Sequence, residues 1–239
     1  MLSKRLFDIA FAGLALTVLW PLIALLALAI WCQDGRTPFY VSPRVGRANR
    51  DFQMIKLRTM VVGADRAGAS SASRSDGRIT LLGRTLRRWK LDELPQFVNV
   101  LAGHMSIVGP RPNVRHGGVD GYTAREMGLL SVRPGLTDLA SIVFADEAEI
   151  LEGASDVQGT YDLLIRPWKC RLGLLYIERR TLHSDMALAA LTIAAIVARP
   201  LALALLDRIL LKWGADTSTR ELCLRQGPLR RFVIELETS

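Results

Sequence analysis

The sequence is poor in cysteine and histidine, with 3 of each among its 239 residues. The cysteines are an odd number without motif spacing, so we expect neither a disulfide framework nor a zinc site, and reduced thiols are the simplest interpretation. The histidines are isolated and lack metal-ligand spacing, so we treat them as structural or incidental. These six residues are Cys32, Cys170, Cys223, His104, His116 and His183.

Acidic residues are also in short supply, since 23 Asp and Glu face 31 Lys and Arg and the net charge is +8. Hydrophobic residues nevertheless make up 50% of the chain, and the mean hydropathy is +0.22. This combination favours contact with anionic lipid headgroups or with another polyanion. Nucleic acid is the competing partner, but the chain has no recognised nucleic-acid module and its aromatic residues do not interleave with the basic ones. We therefore expect no nucleic-acid partner.

Residues 9–31 contain no charge, and this run is long enough to cross a bilayer as a helix. It is longer than the apolar part of a signal peptide and no clear cleavage site follows. Pro21 in the middle would remove a backbone hydrogen bond and kink the helix. Basic residues flank both ends (Lys4 and Arg5 before, Arg36 and Arg44 after), so both ends prefer the cytosol. The pattern predicts a re-entrant hairpin that turns at Pro21, with a kinked single span as the alternative.

The next stretch predicts two short strands around a turn at residues 46–49. In the second strand, Lys56 and Arg58 alternate with apolar residues and would project from one face, either toward a site or simply into solvent. Residues 64–77 are rich in Ser, Ala and Gly without periodicity, which predicts a mobile loop.

The centre of the chain, residues 79–112, carries several basic side chains followed directly by the adjacent acids Asp92 and Glu93. Leu94, Phe97, Val98 and Leu101 then have the spacing of one helix face, with Pro95 in the first turn and Gly103 at the end. The two acids would thus lie at a helix N-terminus, which favours negative charge and also phosphate. The alternative is an ordinary helix cap beside a solvated arginine face.

Three later features complete the pattern. GPRP at 109–112 holds Arg111 in a stiff, non-helical frame suited to bidentate phosphate contact, unless the arginine simply faces water. The acids at 146, 147, 149 and 152 are typical of an exposed helix face, with metal binding as the weaker alternative. Residues 186–213 form a second apolar region broken at Arg199–Pro200, which predicts a pair of interfacial helices.

Several motifs in order make the chain resemble the bacterial sugar transferase family, the monotopic phosphoglycosyl transferases, from residue 4 to about residue 185. The matching motifs are KRLFD at 4–8, PRVG at 43–46, KLRTM at 56–60, GRTLR at 83–87, LDELPQ at 91–96, MSIVGPRP at 105–112 and VRPG at 132–135.

The resemblance implies an enzyme on the cytoplasmic face of the bacterial inner membrane. It would move a sugar phosphate from a nucleotide sugar, expected to be a UDP-sugar, to polyprenyl phosphate and release a nucleoside monophosphate. This step would begin an exopolysaccharide, capsule or O-antigen glycan. Asp92 would be the nucleophile, Glu93 with Asp92 would hold Mg²⁺, and Lys56 and Arg111 would complete the catalytic set. Further candidates for substrate or phosphate binding are Arg44, Arg58, Arg84, Arg87, Arg88, Gln96 and Arg133.

The expected fold is α+β and helix-rich: a monotopic membrane protein with a small cytosolic catalytic domain. We expect a re-entrant helix–break–helix at residues 1–35, the catalytic domain at 36–185, and apolar interfacial helices with a basic tail at 186–239. The carboxy-terminal helices are also candidates for a homodimer contact.

The chain departs from the family pattern at three positions. Asp138 follows Thr137 where many members have glycine, Gly173 stands where many have an active-site aspartate, and His104 replaces a frequent aspartate. These departures leave open a catalytically silent scaffold. A membrane-tethered nucleic-acid binder is the other alternative.

Overall fold

The computed structural model describes residues 2–64, 76–225 and 229. Residues 65–75 of the predicted loop, and residues 226–228 and 230–239 of the basic tail, lie outside the described residues. Within them the protein is helix-rich, with two pairs of short strands, so the α+β class is confirmed.

Helix α1 (Leu2–Asp34) is the one helix in the described part of the chain that is long and apolar enough to cross a membrane. Pro21 lies inside it and the backbone is helical on both sides. The reversal of direction at Pro21 therefore stays a prediction. Many large apolar side chains of α1 are exposed, as lipid contact would require: Leu14, Val18, Trp20, Leu25, Leu28 and Trp31.

Strands β1 (Phe39–Val45) and β2 (Asp51–Leu57) form the predicted antiparallel hairpin. Tyr40 pairs with Lys56, and Val41 pairs with Ile55. Because successive side chains in a strand point to opposite faces, Tyr40 and Lys56 share one face while Val41 and Ile55 share the other.

Helix α2 (Leu81–Arg88) begins at Thr80, whose hydroxyl accepts a hydrogen bond from the Gly83 amide at 3.0 Å. Gly83 has to be glycine, since a Cβ there would lie 2.1 Å from the Thr59 carbonyl oxygen. The acidic pair lies in a short 3₁₀ turn, Leu91–Glu93, just before the α-helix at whose N-terminus it was predicted. Helix α3 (Gln96–Leu101) starts only after Pro95.

The predicted apolar stripe of α3 was wrong in its orientation. Phe97 is buried, but Val98 and Leu101 are 46% and 39% exposed. Asn99 is buried instead, and its amide side chain accepts from Ile55 N at 3.0 Å and donates to Gln53 O at 2.7 Å. Helix α3 therefore packs a partly polar face on the edge of β2 and leaves apolar side chains outward.

Strands β3 (Ser106–Val108) and β4 (Gly135–Thr137) form a parallel pair. The backbones of Gly109 and Gly135 approach so closely that a Cβ on Gly135 would lie 2.1 Å from Gly109 N. This contact fixes the start of the GPRP segment.

The remaining helices are α4 (Leu139–Val143), α5 (Glu147–Ile150), α6 (Val157–Thr160), α7 (Arg166–Arg179), α8 (Leu182–Val197), α9 (Arg199–Lys212) and α10 (Thr217–Leu224). A π-helical turn, Tyr161–Ile165, leads into α7. The predicted break at Arg199–Pro200 is confirmed, since α8 ends at Val197 and α9 begins at Arg199.

The amino-terminal half of α1 is fixed to the core by buried polar contacts. Lys4 Nζ lies 2.6 Å from Asp185 Oδ2 and donates to Val108 O at 3.0 Å. The buried Asp8 accepts from Ser106 Oγ at 2.9 Å and from Ile107 N at 3.0 Å. The strand that precedes the GPRP segment is thereby held against α1.

Candidate functional site

The acidic pair is largely enclosed: Asp92 is 7% exposed, and the Glu93 side chain is 12% exposed. Lys90, just before the pair, has left-handed backbone (φ 56°), which lets the chain turn sharply from α2 into the acidic turn. Two adjacent carboxylates held away from water repel each other, so both can be ionised only if cations lie close by.

Lys56 and Arg111 provide that positive charge at Glu93. Lys56 Nζ donates to Glu93 Oε1 at 2.9 Å, and an Arg111 guanidinium nitrogen donates to the same oxygen at 2.5 Å. Burial acts to raise the pKa of Glu93, but the attraction of Arg111 and Lys56 outweighs it and holds that pKa well below its usual range. Burial lowers the pKa of Lys56, although Glu93 opposes this effect. Glu93 is therefore the permanently charged member of the pair.

Asp92 has the opposite character. Burial raises the pKa of its carboxyl and Glu93 adds to the rise, while Lys56 and Arg87 act against it. Among the described residues, nothing donates a hydrogen bond to its side chain. When it is ionised, the Asp92 carboxylate is therefore more basic than that of Glu93, and it is the better nucleophile of the two.

Arg111 is held by the segment around it. Its backbone amide lies 3.3 Å from Asp138 Oδ2, while Asp138 Oδ1 accepts from Ser141 N at 2.6 Å and so caps α4. Glu93 is the main cause of a raised Arg111 pKa. The Asp138 carboxylate thus accepts a hydrogen bond from the backbone amide of Arg111, which a glycine at position 138 could not do.

A second charged cluster lies next to Arg111, and the sequence did not reveal it. Lys169 of α7 is ion-paired with Glu147, and its ammonium lies 5.1 Å from the centre of the Tyr161 ring. The charge of Glu147 also raises the pKa of Arg111. The prediction of a simply exposed acidic helix face was therefore wrong for Glu147, and also for Asp146, which lies 2.8 Å from Arg199 and 3.1 Å from Arg225.

Two more predicted residues have buried donors without partners. Arg44 lies near Arg111 and Glu93. Burial is the main cause that lowers the pKa of Arg44, and the positive charge of Arg111 lowers it further. Its Nε atom and the Nε2 atom of buried Gln96 have no hydrogen-bond partner within the described residues. Unpartnered buried donors beside a cationic site are what an anionic ligand would satisfy.

The structure does not bring every predicted arginine to the acidic pair. Arg87 lies near Asp92 and donates to Thr59 Oγ1 at 2.9 Å. By contrast, Arg58 is bound to the Asp34 carboxylate at 2.5 and 2.6 Å, and Arg133 donates to Gly103 O at 2.8 Å. The exposed Arg84 and Arg88 remain on the outer face of α2.

At Gly173, the position of the expected carboxylate, a side chain would meet Leu129. A Cβ there would lie 2.7 Å from Leu129 Cδ2 and 3.6 Å from Pro110 Cβ. Because Leu129 Cδ2 is the end of a flexible side chain, a small shift of Leu129 would admit an aspartate, and the contact does not explain the glycine. In this chain, the further carboxylates near Arg111 are Glu147 and Asp138.

The donor set at the acidic pair suits Mg²⁺. Within the described residues no group of three or more His, Cys, Asp or Glu side chains is placed to hold a metal by itself. Mg²⁺, however, is usually held by one or two carboxylates together with water and substrate phosphates. Glu93 and Asp92 fit that requirement, since the Asp92 carboxylate accepts no hydrogen bond within residues 2–64 and 76–225.

Comparison with known proteins identifies the family. Residues 1–199 match the family model for bacterial sugar transferases. The chain belongs to the bacterial sugar transferase family. Within this family, it is 37% identical over 203 residues to the undecaprenyl-phosphate glucose phosphotransferase of Komagataeibacter xylinus, covering 81% of this chain and 35% of that protein.

Two further relatives cover different parts of the chain. It is 30% identical over 210 residues to the exopolysaccharide production protein ExoY of Rhizobium meliloti (strain 1021), covering 82% of this chain and 85% of that one. It is 41% identical over 144 residues to the UDP-glucose:undecaprenyl-phosphate glucose-1-phosphate transferase of Caulobacter vibrioides, covering 59% of this chain and 54% of the relative. The chain thus spans about a third of the Komagataeibacter xylinus transferase and about half of the Caulobacter vibrioides transferase.

Proposed function

We propose that this protein is a phosphoglycosyl transferase that moves a sugar 1-phosphate from a nucleotide sugar, expected to be a UDP-sugar, to polyprenyl phosphate. The names of its relatives support this reaction class. The observation that carries the proposal is the division within the acidic pair. Glu93 is fixed by Lys56 and Arg111, while Asp92 is buried beside them and its carboxylate accepts no hydrogen bond from any residue that the structure describes.

The reaction then has two balanced steps. An Asp92 carboxylate oxygen bonds to the phosphorus that carries the sugar, and the bond from that phosphorus to the nucleoside monophosphate breaks. A phosphate oxygen of the lipid next attacks the same phosphorus, and the Asp92 carboxylate leaves. No proton or electron is needed for balance, and the products are a polyprenyl diphosphate sugar and a nucleoside monophosphate.

The protein contributes mainly positioning and positive charge. Lys56, Arg111 and Arg44 reduce the repulsion between the donor diphosphate and the attacking carboxylate. Unpartnered Arg44 Nε and Gln96 Nε2 are available to donate to phosphate oxygens. Glu93, with Asp92, would hold Mg²⁺, which supplies further neutralising charge when bound.

We further propose that α1 is re-entrant and that the site lies at the cytoplasmic face of the inner membrane. Both ends of α1 contact the domain that follows, through Lys4 with Asp185 and through Asp34 with Arg58. A straight helix of 33 residues would be about 50 Å long. A bend near Pro21 would let both ends reach one small domain. The lipid product would then serve the start of exopolysaccharide or another surface glycan.

Asp92→Asn tests the central assignment. In membranes supplied with polyprenyl phosphate and a panel of UDP-sugars, this variant should release no nucleoside monophosphate and form no covalent sugar-phosphate adduct. The control is Asp120→Asn, at a half-exposed aspartate paired with His116, which should behave as wild type. Wild-type release by Asp92→Asn would reject Asp92 as the nucleophile. Failure of the wild-type protein with every donor would favour the silent scaffold.

A further inference from the structure

The middle of α1 does not pack tightly on the domain beneath it. An open groove of about 540 Å³ lies between α1 and the hairpin, and every residue that lines it is apolar. Trp20 and Ala24 of α1 form one side, and Val41, Ile55 and Val98 form part of the other. A pocket of this size and lining is typical of a site for a lipophilic ligand.

The groove lies next to the acidic site, on the opposite face of the hairpin. Ile55 directly precedes Lys56 on β2, and their side chains point to opposite faces of the same strand. Pro95, two residues after Glu93, also lines the groove. A ligand in the groove is therefore separated from the acidic pair by little more than one strand of backbone.

We propose that this groove holds the isoprenoid chain of the acceptor lipid, an inference that rests on the proposed function. The acceptor has to bring its phosphate to a buried, cation-lined site while its hydrocarbon chain stays out of water. The groove offers an apolar surface that begins beside Lys56 and is bounded by the membrane helix. Its lining residues carry no charge, and the Trp20 indole N–H is the one side-chain donor among them, whereas a lipid headgroup or a peptide would need charges or further polar partners.

The exposed orientation of Val98 supports the same occupant. An exposed valine on a helix face next to the site has no partner in the domain core, yet it lines this groove. Filling the groove should therefore affect the step that uses the lipid and leave the donor step unchanged.

The test compares two tryptophan substitutions that fill the groove with two that do not. Ala24→Trp and Val98→Trp change lining residues, whereas Ala10→Trp and Leu101→Trp change exposed residues of the same helices that do not line it. Adduct formation with donor alone should be unchanged in all four. Transfer from the adduct to a long-chain polyprenyl phosphate should fall about tenfold in kcat/KM in the filling variants only.

Chain length provides a second readout. The wild-type protein should prefer the long-chain acceptor to geranyl phosphate, and the filling variants should lose most of this preference. Equal transfer by filling and control variants would overturn the proposal. So would a loss of membrane association or thermal stability without a change in chain-length preference, because the groove would then hold bulk acyl chains.

A binding measurement keeps the inference separate from the reaction. A polyprenyl phosphate with a photoreactive group in its chain should label Val98 or Ile55, and excess polyprenyl phosphate but not phosphatidylglycerol should prevent it. Labelling in a protein that turns over no donor would leave the groove assignment standing while the proposed function fails. Turnover without labelling of the groove would reject the groove alone.

Discussion

One face of the β1–β2 hairpin carries Lys56, and the other carries Val41 and Ile55. On the first face, the ammonium lies 2.9 Å from a buried carboxylate. On the second, the side chains line an apolar groove against α1. The alternation of a single short strand therefore places an ionic environment and a hydrocarbon environment back to back. Changes on the two faces should separate the chemistry of the donor from the binding of the lipid.

After Asp92→Asn, the largest effect is expected from Lys56→Met, which removes the cation shared by the two acids. Without it, the repulsion between Asp92 and Glu93 is less compensated, and nucleoside monophosphate release should fall about 10²- to 10³-fold. Initial-rate measurements with saturating lipid would check this. Lys212→Met, at an exposed lysine ending α9, is the control, and a similar loss there would remove the special role of Lys56.

Arg111→Lys should have the next largest effect. Lysine keeps the charge but cannot reproduce the planar, two-nitrogen contact with Glu93, so kcat should fall about 10²-fold. Arg84→Lys, on the exposed face of α2, should leave kcat unchanged. Full activity of Arg111→Lys would show that charge alone is sufficient at this position.

Asp138→Asn separates two roles of one side chain. Its amide oxygen can still cap α4 at Ser141, but its amide nitrogen cannot accept from the Arg111 backbone. Activity should fall about tenfold while the midpoint of thermal unfolding stays near wild type. Asp138→Ala loses the cap as well, and should lower the free energy of unfolding by about 1 kcal/mol. Wild-type activity in Asp138→Asn would make Asp138 only a helix cap.

The smallest effect is expected on the apolar face. Val41→Ala removes two methyl groups from a half-exposed position, so that the KM for the polyprenyl acceptor should rise about threefold with stability nearly unchanged. The KM for the nucleotide sugar should not change. A shift in the donor KM instead would show that the two faces of the hairpin are not independent.

Periodicity predicted the hairpin, the long apolar helix and the break between α8 and α9, because each depends on local spacing or on proline. It failed for α3, where spacing indicated that Val98 and Leu101 share a face but not that this face points away from the core. In a chain that contacts lipid, an apolar side chain can lie in the protein core or on a surface that faces lipid, and its hydrophobicity alone does not tell which.

The site could be predicted only where its residues are close in sequence or belong to a recognised motif. Asp92, Glu93 and Arg111 fall in the central stretch, whereas Glu147 and Lys169 pair across a loop and a π-helical turn. Their spacing of 22 residues carries no periodic signal. Asp138 was noticed only as a departure, because its contact with the Arg111 amide depends on the close approach of β3 and β4.

The contacts of Lys4 and Asp8 bear on how the protein matures. The partner of Lys4 lies 181 residues further along the chain, and Ser106 lies 98 residues after Asp8. During synthesis, α1 leaves the ribosome before either of these partners has been made. The contacts that hold its amino-terminal end on the domain can therefore all form only once the chain has been made as far as Asp185.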